Sequence, residues 1–123
     1  MAVKKEVNFI IPFVIYPFDC MVSLGESDED LKKNLEKNGD EWEDIMKCEG
    51  GGRYVLLGTN RSIIRTKSYP VTPEDYGSLQ HEIFHCVTYL LNRIGMKFIP
   101  LKSDEAYAYL IGYLTTEIYK RIK

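Results

Sequence analysis

An α+β domain, with a small sheet of antiparallel or mixed strands packed on two C-terminal helices, is the fold class the sequence predicts. Three observations carry that expectation. Two β-rich runs meet at Asn60, a helical periodicity extends from Thr72 to about Ile94, and a second extends from Ser103 to about Arg121. The 123 residues suit one domain spanning 1–123, and 45% apolar with 28% charged residues is ordinary for a globular chain.

The elements follow in order. Phe18, Cys20, Val22 and Leu24 alternate with Asp19, Met21 and Ser23, the pattern of a half-buried strand that Gly25 ends. Ser27 caps a charged helix from Asp28 to about Lys37, closed by Asn38-Gly39. Residues 40–52 hold an acidic, amphipathic patch around Trp42, Ile45 and Met46. Gly50-Gly51-Gly52 then reads as a flexible loop, a plain connection in preference to a flap over the cleft. Arg53–Thr59 and Arg61–Lys67 form a tight hairpin, of which Arg61–Lys67 is the candidate free edge for pairing with an extended peptide. Thr72-Pro73-Glu74-Asp75 opens the long helix with a hydroxyl cap, a proline and two acids, and Gly95 stops it. Met96–Leu101 is a short extended connection, and Ser103 caps the last helix.

Composition narrows the function classes. A net charge of −2 without a basic stripe disfavours nucleic acid as a partner. Cys20, Cys48 and Cys86 are an odd, scattered set, read as reduced thiols of a cytoplasmic protein, with Cys86 a small buried hydrophobe. Lys4 and Lys5 precede an apolar run from Phe9 to Phe18, the order of a secretion signal. Pro12 and Pro17 interrupt that run and no small-residue cleavage site follows, so a folded segment is expected, with no membrane span.

The chemistry is concentrated in His81-Glu82-Ile83-Phe84-His85, which contains the only two histidines of the chain. Residues four apart on a helix share a face one turn apart, so both imidazoles can reach one metal ion. Glu82 lies on the flank of that face, where a carboxylate can take a proton from metal-bound water. A chance occurrence in a chain this long is well under about one in a hundred. The long helix also has a separate apolar stripe of Tyr76, Leu79, Ile83, Val87, Leu90 and Ile94, opposite the histidines, so the core does not require them.

A catalytic zinc site takes a third protein ligand and keeps one position for water. Glu105 is the candidate, opposite the last helix's apolar stripe of Tyr107, Leu110, Ile111, Leu114 and Ile118. Asp104 competes for the role, although capping suits it better. Ala108 and Gly112 share the Glu105 face, which predicts a close approach to the histidine helix there. Tyr89, Tyr109 and Tyr113 are candidate oxyanion or substrate donors among nine tyrosines.

The HExxH motif followed by a glutamate on the next helix resembles the gluzincin branch of zinc metallopeptidases. The spacer, residues 86–104, is nineteen residues, as in the thermolysin type. The resemblance covers about residues 53–122. It implies a minimal zincin-like domain with one Zn2+, His81, His85 and Glu105 as ligands, and Glu82 as general base. Tyr109 stands where the thermolysin type has a supporting acid, and Glu105-Ala106-Tyr107-Ala108 is similar to the Glu-x-x-Ala pattern of small phage and bacterial zincins. The function implied is a zinc-dependent peptidase acting on a peptide or protein, in the cytoplasm or a host's cytoplasm if phage-encoded. The alternatives are a catalytically silent metal-binding module and a phage or mobile-element regulatory or assembly factor.

Overall fold

In the computed structural model, which describes residues 5–48, 50–57 and 60–122, four strands and three helices follow one another as β1 (Val7–Pro12), β2 (Asp19–Leu24), α1 (Asp28–Lys37), β3 (Gly52–Leu57), β4 (Arg61–Thr66), α2 (Pro73–Arg93) and α3 (Asp104–Arg121). A 3-10 turn at Asp44–Met46 precedes β3. The sheet order is β1-β2-β4-β3, with β2 and β4 parallel and the two outer pairs antiparallel, so the sheet is mixed. Among the described residues no helix is long and apolar enough to cross a membrane.

Alternation along the strands feeds two cores. Cys20, Val22, Leu24 and Ile64 face α2 and α3, meeting Leu79, Ile83, Val87 and Leu90 from α2 and Leu110, Leu114 and Ile118 from α3. Met21 and Ile63 point the other way, with Val55 and Leu57, against Leu31 and Leu35 of α1 and Met46 of the 3-10 turn. The expectation of a half-buried β2 is therefore corrected. Met21 and Ser23 are as fully enclosed as Cys20 and Val22, because helices cover the strand on both faces.

The hairpin expectation holds for β3 and β4, with residues 58 and 59 outside the described part. Which strand is the edge is corrected: β4 lies between β2 and β3, and β3 is the terminal strand on that side. The glycine run is also corrected, since Gly52 opens β3 instead of lying in a loop.

The helix boundaries follow local chemistry. Ser27 accepts from the Asp30 amide at 3.1 Å, and Gly39 takes φ 78 beyond the C-cap of α1. At α2, Thr72 Oγ1 accepts from the Asp75 amide at 3.2 Å while the Asp75 carboxylate accepts from the Thr72 amide at 3.1 Å, a reciprocal capping box. Gly95 takes φ 85 after the helix. Ser103 departs from its expected role, because its hydroxyl bonds the preceding connection, donating to Lys97 O and accepting from the Ile99 amide at 2.8 Å.

The α1 face is joined to the sheet through one buried cation. Arg65 of β4 is 4% exposed; its Nη1 donates to Met46 O at 2.8 Å, and its Nη2 donates to Glu26 O at 3.0 Å and pairs with Asp28 Oδ1 at 2.8 Å. Removing the guanidinium orphans two carbonyls, so Arg65→Ala is expected to cost about 3 kcal/mol in urea unfolding. Asp28→Ala is expected to cost less, because its side chain is 39% exposed and the guanidinium keeps both carbonyl contacts. Equal losses from both variants would show that the ion pair, not the carbonyl contacts, holds this face.

Candidate functional site

The rotation of α2 places the motif. Leu79, Ile83, Cys86, Val87 and Leu90 are buried against the sheet. At about 100° per residue, His81 and His85 then fall on the outer side and Glu82 at the border with the sheet. The two imidazoles converge: Nε2 of His81 and Nε2 of His85 are 3.0 Å apart. Two nitrogens bound to one tetrahedral zinc at about 2.0–2.1 Å stand about 3.3–3.4 Å apart, close to the separation of this pair.

Glu82 is 7% exposed and packs where β3 begins. A Cβ added to Gly52 would lie 2.9 Å from Glu82 Cγ, 3.1 Å from Glu82 Oε2 and 3.0 Å from Arg65 O. At Gly51 the same atom would lie 2.8 Å from Ser78 Oγ. The glycines thus admit α2 and the Glu82 carboxylate against the strand. Burial pushes the Glu82 carboxyl above its usual value, opposed by His81, His85 and then Arg53.

A groove of about 580 Å³ follows the outer edge of β3. His81, Glu82, His85 and Tyr89 form its α2 wall, Gly52 to Leu56 its floor, and Glu43 and Ile45 the opposite rim. The Tyr89 ring stacks at a tilt on Tyr54, with centroids 5.6 Å apart. The Tyr54 hydroxyl is buried without a hydrogen-bond partner among the described residues, and burial raises its pKa. Cys86 is buried behind the motif, as expected, with Sγ 3.6 Å from Ser62 Oγ.

The other expected site residues lie elsewhere. Glu105 lines a shallow groove along α3 with Ala108, Tyr109 and Gly112. Tyr109 and Tyr113 also border an apolar groove with Phe13 to Tyr16, where Tyr113 Oη donates to Pro12 O at 2.7 Å. Only Tyr89 of the three tyrosines faces the histidine groove. Among the described residues, no three His, Cys, Asp or Glu side chains form a group able to hold a metal in this arrangement.

The α2–α3 register accounts for the position of Glu105. Gln80 bonds Thr115 at 3.2 Å and the Tyr76 and Tyr119 rings meet at 5.4 Å, so the helices run antiparallel with 80 level with 115. Glu105 is then level with position 90, five residues beyond His85, or about 7 Å along the axis. The expected close approach at Ala108 and Gly112 is corrected: both are exposed, and a Cβ at Gly112 would meet nothing within 4 Å.

Glu43, Ile45, Arg53 and Leu56 belong to the groove but not to the motif, and sequence reasoning gave them no part in the site. Only the glycine run pointed there, because close approach to another element is a common reason for glycine in a strand. No family model, curated protein or solved structure matches this chain.

Two outcomes follow. Gly52→Ala is expected to cost about 1–3 kcal/mol, and combining it with Glu82→Asp to recover part of that loss, since the shorter acid withdraws one crowded neighbour. Strict additivity in urea unfolding would show that the two do not pack together. Separately, a raised folded-state pKa makes ionised Glu82 a cost to the fold. The cost is absent below the usual carboxyl value of 4.5 and complete above the folded value. Glu82→Gln should therefore stabilise the metal-free protein by about 1 kcal/mol or less near pH 8, with the gain vanishing near pH 4.

Proposed function

We propose that the chain is a zinc-dependent peptidase of minimal, zincin-like build, cleaving a peptide or protein laid along the edge of β3. The observation that supports this most is the convergence of both histidines, Nε2 to Nε2 at 3.0 Å, on a groove that Glu82 also lines. His81 and His85 are the proposed ligands and Glu105 the proposed third. That third assignment requires α3 to bring its first turn toward the histidines. The connection that would have to move contains Leu101, 95% exposed with φ 67, a conformation costly for a residue with a side chain.

The groove gives each residue a task. The terminal strand offers backbone hydrogen-bonding groups to an extended segment, which fixes the scissile bond beside α2. Zinc bound by the histidines would lower the pKa of its water toward about 7 and polarise the scissile carbonyl. The Glu82 carboxylate accepts the proton of the attacking water and returns it to the leaving amine. Tyr89 is the proposed hydroxyl donor to the developing oxyanion.

A second reading, a zincin-like binding module without hydrolysis, is favoured by one observation: Glu105 lines a different groove from the histidines.

Metal content and cleavage together test both. The full chain and Glu82→Gln should each hold about one zinc, His85→Ala little, and Glu105→Gln substantially less than the parent. Cleavage of a peptide library should disappear in Glu82→Gln. Undiminished zinc in Glu105→Gln would remove that residue from the ligand set. Stoichiometric zinc without any cleavage by the parent would favour the module.

A further inference from the structure

The chemistry of the groove's far rim selects among the peptides that the edge of β3 can accept. Side chains of an extended segment alternate between the two faces of the sheet it joins. Those turned toward α2 meet Tyr54, Leu56 and Tyr89, an aromatic and aliphatic surface. Those turned the other way meet the rim formed by Arg53, Ile45 and Glu43.

Arg53 is built as a receptor on that rim. Its Nε donates to Ile45 O at 2.8 Å, which fixes the plane of the guanidinium. No ion pair among the described residues engages its two terminal nitrogens, although Arg65 and Arg61, on the adjacent strand, are both paired. An anchored guanidinium with both terminal nitrogens available presents a planar fork that fits a carboxylate in two hydrogen bonds. Glu43 lines the same groove outside ion-pair distance of Arg53, so it leaves the fork open and repels a second anion further along. Among the described residues, and apart from the histidines, Arg53 is the only basic side chain lining the groove.

We infer that Arg53 is a specificity residue that binds a carboxylate of the substrate, favouring extended peptides with apolar residues toward α2 and an acidic group on the opposite face. The inference rests on the peptide-binding reading of the groove and is independent of whether hydrolysis follows. The carboxylate has two sources, an acidic side chain within the segment or the C-terminus of a short peptide.

Binding separates the sources without requiring turnover. The probes are three N-acetylated hexapeptides in which valine alternates with a variable residue: glutamate with an amide end, glutamine with an amide end, and glutamine with a free carboxyl end. Each is titrated calorimetrically into full-length Glu82→Gln protein as purified. The glutamate peptide should bind about tenfold tighter than its glutamine amide counterpart, the scale of one charge-assisted contact. Adding Arg53→Gln should abolish the preference, and adding Glu43→Gln should enlarge it. Preference for the free-carboxyl peptide alone would assign the carboxylate to the chain terminus and keep the role of Arg53. Equal binding of all three, no binding of any, or a preference surviving Arg53→Gln would overturn the inference. Should Arg53→Gln fail to fold, the parent's preference and the Glu43→Gln enlargement decide. Cleavage of other peptides by the parent, with no carboxylate preference, would overturn the role of Arg53 and leave the peptidase reading standing.

Discussion

The apolar stripe of α2 holds the rest of the arrangement in place. Leu79, Ile83, Val87 and Leu90 are wholly enclosed between the sheet and α3. Each contributes about 1.5–3 kcal/mol by leaving water. An exposed ion pair such as Lys120–Glu117 contributes little beside that, because solvent screens it. Nothing on the polar side of α2 competes with that burial, so the stripe alone fixes the helix's rotation. The positions of the imidazoles and of Glu82 then follow from helical geometry.

Much of this was legible because it is local. Ser27, Thr72 and Asp75 announce their helices, and their caps form as side-chain chemistry requires. The histidine spacing is equally local, which is why the motif could be placed on one face before the fold was known. What resisted reading depends on partners distant in sequence. Met21 and Ser23 are enclosed because α1 returns over a face that alternation alone leaves open. The edge position of β3 comes from β2 pairing with β4, and no local pattern encodes that choice. Ser103 has the composition of a cap, yet its hydroxyl is used by the connection preceding α3. Ala108 and Gly112 are small and face water, so size alone was a poor guide to helix contact. Glu43 and Arg53 join the groove through a loop and a strand well before the motif, without a spacing rule to reveal them.

The groove also shows how the fold combines opposed demands at one carboxylate. Burial pushes the Glu82 carboxyl up, and the neighbouring His81, His85 and Arg53 pull it down. Gly52 permits the burial by letting the side chain lie against the strand. Gly51 and Gly52 therefore shape the groove, although they contribute no functional group.

The parallel pairing of β2 with β4 has a consequence for the nascent chain. Asp19 aligns with Arg61 and Leu24 with Thr66, so β2 must wait some forty residues of synthesis for its inner neighbour. Closing so long a loop is entropically costly and slow compared with forming a helix. Until β4 is made the surface that receives α2 is incomplete, and the residues of α2 follow directly behind. The histidines are thus synthesised after all four strands, and the groove they line cannot exist until those strands have paired.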